Sequence, residues 1–242
     1  MRSKLYKEAL IEFPQARTEE QDAILNYLRP KKNEFILEVG AGNGFLSARL
    51  ADLLQNGKLI VSDPSEEQLQ EIKKLNKNNI QVINASAENL NLKEESVDAI
   101  CSLGAMHHCI NKTKAFQNFT HMLKKKGRIV IADVFHGSKL AKHFDLQVAK
   151  YCITGHEVAF WTKEFVDSLC YLNNLDRPRI LKVDIHWKFK LKKDIGMFLY
   201  KLHAMLNTTP EKCLNGAEKI LGISEKGGFF YLNWPLNIII IK

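Results

Sequence analysis

The chain has 242 residues, of which 45% are hydrophobic and 26% charged, and 35 basic against 27 acidic side chains give a net charge of +8. That length holds one α/β domain with a full core, and the composition is that of an ordinary globular protein. No apolar run approaches the ~20 residues of a membrane span.

The N-terminus lacks the apolar stretch of a signal peptide. Five cysteines with no C-x-x-C pair form neither a disulfide framework nor a zinc site, so free thiols in a reducing cytoplasm and no bound metal are expected. The positive charge raises the question of nucleic acid. The lysines, however, are scattered or sit in turns, and only Lys188, Lys190, Lys192 and Lys193 alternate with aromatics, Trp187 and Phe189. That alternation is what a strand with one solvated face shows, so a nucleic-acid partner is not expected.

In chain order, Tyr6 to Leu28 carries apolar residues at 6, 9, 10, 13, 24, 25 and 28, which predicts one or two helices broken at Pro14. Phe35–Leu37 reads as a short buried strand, followed by Glu38 and the glycines Gly40, Gly42 and Gly44. Helical periodicity follows from Phe45 to Leu54. A strand, a glycine-rich turn and a helix start make a nucleotide-binding corner, because glycine reaches φ > 0 and lets a ligand approach the backbone. A dinucleotide fingerprint needs glycine where Phe45 stands.

Lys58–Asp63 is the second strand, and Asp63 lies about 20 residues past the turn, where an acid accepts from ribose hydroxyls. Asp63, with Pro64 after it, is equally placed to cap the next helix. Ile80–Asn84 is strand three, leading to Ser86, Ala87, Glu88 and Leu90. Glu95–Ser102 is strand four, leading through Leu103 and Gly104 to His107 and His108. Leu123–Asp133 is strand five, entered through Lys124, Lys125 and Lys126.

Taken together, an acid before G-x-G-x-G, the Asp63 strand end, the A-E-x-L loop, the L-x-x-x-H-H segment and the L-K-x-x-G-x-I-V-I-A-D entry to strand five resemble the class I S-adenosylmethionine-dependent methyltransferases. The likeness covers roughly residues 33–135 and is nearest in pattern to small-molecule enzymes of ubiquinone and menaquinone biosynthesis. It implies a Rossmann-like α/β fold: a mostly parallel seven-stranded sheet, helices on both faces and the last strand antiparallel. It also implies S-adenosyl-L-methionine as cofactor. Glu38, Gly40, Gly42 and Gly44 would face the methionine end, Asp63 and Pro64 the ribose, Ser86, Ala87 and Glu88 the adenine, with Ser102 and Leu103 at the same edge. Ser86 and the Lys125–Lys126 pair depart from the usual pattern; an acid is common at 86, and a proline and glycine at the turn.

Beyond Asp133 the likeness thins. Amphipathic helices are expected over 138–153 and 161–173, a sixth strand over 179–185, two helices over 194–206 and 210–221, and a closing strand over 237–241. The expected organisation is one domain: an N-terminal helical lid at 1–30, a cofactor core at 31–135, and a C-terminal half with a helical insertion about 190–226. Tyr6, Phe13, Phe160, Trp161, Trp187 and Phe198 are candidate linings for an apolar acceptor pocket, and Arg17 a candidate lid residue.

Methyl transfer is an in-line displacement that needs alignment more than covalent catalysis. A nucleophile that must lose a proton gains from a general base, for which His107 and His108 are the candidates, with His156 a second position that could touch substrate. An RNA or protein methyltransferase would carry N-P-P-Y or D-P-P-Y after strand four, where Leu103-Gly-Ala-Met stands. The expected acceptor is therefore a small molecule. A non-catalytic relative that only binds cofactor is the remaining alternative.

Overall fold

A computed structural model describes residues 1–242. Its helices are α1 (Arg2–Glu12), α2 (Thr18–Leu28), α3 (Ser47–Leu53), α4 (Glu66–Lys73), α5 (Lys112–Met122), α6 (Lys139–His143), α7 (Ala149–Tyr151), α8 (Lys163–Leu172), α9 (Lys192–Leu202) and α10 (Pro210–Ile220). Its strands are β1 (Phe35–Val39), β2 (Lys58–Asp63), β3 (Ile80–Asn84), β4 (Val97–Leu103), β5 (Leu123–Asp133), β6 (Arg179–Val183), β7 (His186–Phe189), β8 (Ile223–Lys226), β9 (Phe229–Asn233) and β10 (Leu236–Ile241).

Seven strands form one sheet in the order β3-β2-β1-β4-β5-β10-β6. The pairs from β3 through β5 are parallel, and β10 runs antiparallel to β5, with Ile239 opposite Ile131. Central strands covered by helices on both faces read as continuous apolar runs. Ile36, Leu37, Val61, Ile100, Val130, Ile131, Ile238 and Ile239 accordingly form the core. The expected seven-stranded fold with its last strand antiparallel is observed.

The chain divides into two compact units. The sheet unit comprises residues 24–133, 161–181 and 237–242, and the accessory unit residues 1–23, 134–160 and 182–236. Trp161 belongs to the sheet unit, where it is fully buried, 6.1 Å from the Phe116 ring and under the Lys112 ammonium. It is core there, not pocket lining.

The accessory unit holds a second sheet, β7-β9-β8, that the sequence reading did not anticipate. Gly227 and Gly228 join β8 to β9 with φ of 59° and 74°, the left-handed pair that a tight hairpin turn requires. The expected strand over 179–185 ends at Val183, and Ile185 instead turns the chain into β7. Residues 190–226 supply α9, α10 and β8. At Gly196 a Cβ would lie 2.2 Å from the Pro210 carbonyl oxygen, so its absence lets α10 start against α9. The helix expected over 138–153 is three pieces: α6, a π-turn over Phe144–Val148, and α7.

Four of the aromatics expected to line the acceptor pocket, and the cation expected in the lid, are tied up within this unit. Arg17 pairs with Glu20 at 2.6 and 2.9 Å and donates to the Tyr6 hydroxyl at 3.0 Å, while the Trp187 indole donates to the same Glu20. Phe13 packs edge-on against Phe189 and Phe198, and Phe198 against Trp187.

Candidate active site at the glycine corner

β1 delivers Glu38 and then the turn. Gly40 has φ of 69°, and a Cβ there would stand 2.3 Å from the Ala105 Cβ. The N–H groups of Gly40 and Ala41 both donate to the Ser62 carbonyl, pinning the turn to the end of β2. Gly42 and Gly44 also have positive φ, 55° and 88°. Regular helix begins at Ser47, two residues later than the periodicity suggests, because residues 42–46 form turns.

Asp63 closes the corner from β2. One carboxylate oxygen accepts from the Gly42 N–H and the other from the Ser65 N–H, each at 2.8 Å. Burial nevertheless pushes this carboxyl up from its ordinary value, against those two hydrogen bonds. Ser65, not Asp63, is the side chain that caps α4. Pro64 is exposed beside it.

Glu38 is fully enclosed and accepts from the Ser47 hydroxyl at 2.6 Å. Burial, and after it the nearby Asp63 charge, push its carboxyl up to about 8 against that hydrogen bond. A carboxyl in this state is neutral near pH 7 and ready to ionise beside a cation. Two further polar atoms near this corner are buried without partners: Oδ1 of Asn43, inside the glycine turn, and Oγ of Ser102, at the end of β4. The sequence reading passed over Asn43, although a short amide between two turn glycines was a signal that could have flagged it.

The adenine-side expectation rests on Ser86, Ala87 and Glu88. Ala87–Asn89 form a 3-10 turn whose carbonyls at Ala87 and Glu88 accept from Asn118. Burial raises the Glu88 carboxyl, but the Asn111 N–H and neighbouring donors outweigh it and hold it down at about 2. The Ile110 and Asn111 N–H groups donate to it at 2.8 and 3.1 Å. Glu88 therefore ties its turn to the loop after β4. Ser86 is half-buried and Leu103 ends β4 beside Ser102.

His107 is buried in the turn after β4, and its Nδ1 lies 2.6 Å from the Asp133 Oδ1 at the end of β5. The other Asp133 oxygen accepts from the His107 backbone N–H at 3.0 Å. A carboxylate held this way fixes Nδ1 as the donor and leaves Nε2 as the acceptor nitrogen. His108 is exposed and its ring lies 4.2 Å from that of His107. His156 lies in the accessory unit, stacked on Phe144 at 4.8 Å. Asp133 had been read only as a strand end. A carboxylate on the strand next to a His-bearing turn was the available signal.

Comparison with known proteins bears on this corner directly. A methyltransferase-domain family matches residues 36–127, which include the glycine turn, Asp63 and His107. YrhH of Bacillus subtilis, a putative methyltransferase, is 26% identical over 120 residues, 48% of this chain and 67% of that one. UbiE of Escherichia coli, a ubiquinone/menaquinone biosynthesis C-methyltransferase, is 24% identical over 109 residues. That match spans 43% of each chain, less than half of the curated relative. Among solved structures, YcgJ from Bacillus subtilis superimposes with a TM-score of 0.68 at 16% identity, over 93% of this chain and 98% of that one. Residues 36–127 are thus a methyltransferase domain, and these likenesses together support a class I S-adenosylmethionine-dependent methyltransferase.

The cofactor of this family is S-adenosylmethionine, and the corner suits it. Glu38 offers a buried carboxyl that can ionise beside a cation, Asn43 and Ser102 hold unmet polar atoms, and the turn glycines hold positive φ. No helix of this methyltransferase is long and apolar enough to cross a membrane. All five cysteines are buried free thiols.

Proposed function

We propose that this methyltransferase moves a methyl group from S-adenosylmethionine to a small-molecule acceptor by in-line displacement. The cofactor supplies an electrophilic methyl on a sulfonium. Glu38, Gly40, Gly42 and Gly44 hold its methionine end, Asp63 and Pro64 its ribose, and Ser86, Ala87 and Glu88 flank its adenine, with Ser102 and Leu103 at the same edge. Asn43 adds an acceptor within the turn. For Glu88 the contact is through the turn it fixes, since its carboxylate already serves Ile110 and Asn111.

One observation carries the catalytic part: the buried His107–Asp133 pair at the carboxyl edge of β4 and β5, where ligands bind in such sheets. With Nδ1 engaged by Asp133, Nε2 takes the proton that an oxygen or nitrogen nucleophile releases, and Asp133 stabilises the resulting imidazolium. His108 is exposed beside it and serves as a lesser candidate. His107→Gln should lower kcat by about 100-fold or more while cofactor affinity is retained. Asp133→Asn should do the same by favouring the wrong tautomer. Unchanged kcat and an unchanged pH–rate profile in His107→Gln would remove the base from this scheme.

Purified protein incubated with methyl-tritiated cofactor and fractionated cell extract tests the acceptor class. Label should appear in the metabolite fraction. Label confined to the RNA or protein fraction would overturn the small-molecule reading.

A further inference from the structure

The accessory unit contains a knot of rings that the methyl-transfer scheme does not use. His143 ends α6 and is fully buried, yet neither of its ring nitrogens has a hydrogen-bond partner. His203, just past the end of α9, has a buried Nε2 in the same condition. Both imidazoles flank the same two rings. Phe144 lies 6.3 Å from His143 and 5.4 Å from His203, and Trp234 lies 5.8 Å and 6.0 Å from them. His156 stacks on Phe144 at 4.8 Å, and Trp187 backs Trp234 at 3.6 Å.

Buried polar groups in native proteins are almost always paired, so three unpartnered imidazole nitrogens beside two shared rings call for an explanation. His143 caps and Phe144 opens the π-turn over Phe144–Val148, a rare form that recurs at functional sites. His203 and His156 are half-buried, which brings one side of the knot to the surface of the accessory unit as a wall, with the unpartnered nitrogens enclosed behind it.

The chemistry of the wall is specific. Burial first, then the neighbouring His143 and His156, and behind them Arg2 and Arg17, push His203 well below its ordinary value. Burial alone pushes His143 down to about 4. Both rings are therefore neutral, and each neutral imidazole offers one N–H donor and one lone-pair acceptor. Nearby guanidinium charge disfavours a cation, and Arg17 is already neutralised by Glu20. Aromatic faces favour a flat partner.

We propose that the His143–His203–Phe144–Trp234 cluster is a recognition site for an uncharged planar ring that carries a hydrogen-bond donor and an acceptor along one edge, as a ring lactam does. This site lies within the accessory unit and does not depend on the methyl-transfer reading.

The full chain labelled with carbon-13 at histidine Cε1 tests this by NMR, with 2-quinolinone as the neutral donor–acceptor probe. Naphthalene, benzamidinium and benzoate serve as apolar, cationic and anionic controls, and S-adenosylhomocysteine is titrated separately. The His143 and His203 signals should shift saturably with 2-quinolinone, and each control should bind at least about tenfold more weakly, the loss expected when a buried polar edge goes unmatched. His203→Phe should weaken 2-quinolinone by a similar factor; if that variant does not fold, the wild-type titration decides alone. No shift with 2-quinolinone, or equal affinity for naphthalene, overturns the site. If S-adenosylhomocysteine fails to bind, the methyl-transfer reading falls, while the quinolinone shifts still decide the site.

Discussion

Glu38 and Asp63 in the sheet unit and His143 and His203 in the accessory unit are all enclosed, but burial acts on them with opposite sign. It raises the two carboxyls toward their neutral acids and lowers the two imidazoles toward their neutral bases. The acids have partners: Ser47 for Glu38, and the Gly42 and Ser65 N–H groups for Asp63. The His143 nitrogens have none. One unit has a hydrogen-bonded corner awaiting a charged ligand, and the other an unmatched wall suited to a neutral one.

The comparison breaks most visibly at Gly42. A β-branched side chain at φ of 55° is strained, and its Cβ would meet the Gln68 amide oxygen at 2.8 Å. Gly42→Val should weaken S-adenosylmethionine by about 100-fold, the upper end of an overpacking penalty, with the sheet still folded by circular dichroism. His143→Phe, in the other unit, should leave that affinity unchanged. Calorimetric binding retained in Gly42→Val would reduce the glycines to turn formers.

Asp63→Ala should cost about 1.5–3 kcal/mol of cofactor affinity, the value of hydrogen bonds to a charged acceptor. It should also lower Tm, because the Gly42 and Ser65 N–H groups lose their acceptor. A folded variant with wild-type affinity would move the ribose elsewhere.

The two units also pull apart in the pH dependence of stability. Glu38 ordinarily titrates near 4.5 and in the fold at about 8. Its contribution is full below 4.5 and declines as pH rises toward 8, by at most roughly 1.4 kcal/mol per pH unit. His143 ordinarily titrates near 6.5 and in the fold at about 4. Its contribution is full above 6.5 and is lost as pH falls toward 4. Urea unfolding from pH 4 to 9 should therefore show a maximum between 4.5 and 6.5. Glu38→Gln should flatten the alkaline limb alone, and His143→Phe the acid limb alone. A single limb that responds to both variants would contradict this division.

The sheet unit was largely legible from the sequence because its signals are local. The Phe35–Leu37 run, the glycine turn and Asp63 sit within one strand-turn-helix-strand stretch, and each declares itself by spacing. What stayed hidden is tertiary. Asp133 acquires its role only when β5 lies beside β4 and brings its carboxylate to His107. Trp161 reads as a cap aromatic until Phe116 and Lys112 close on it. The β7-β9-β8 sheet pairs His186–Phe189 with residues 230–233, a long-range pairing that local spacing does not declare.

The position of β10 has a consequence for how the chain is made. It lies between β5 and β6, with Asn237–Ile241 paired to residues 129–133. While a ribosome is still adding residues 182–236, β5 therefore has an unpaired edge and the central sheet is incomplete. An exposed β-edge on a half-finished chain is a template for other chains. Nascent chains stalled before Asn237 should be cleaved by protease within β5 and β6, and chains whose Ile241 is carried clear of the ribosome on an added C-terminal linker should resist. Equal resistance at both lengths would mean that the first five strands hold together without their last partner.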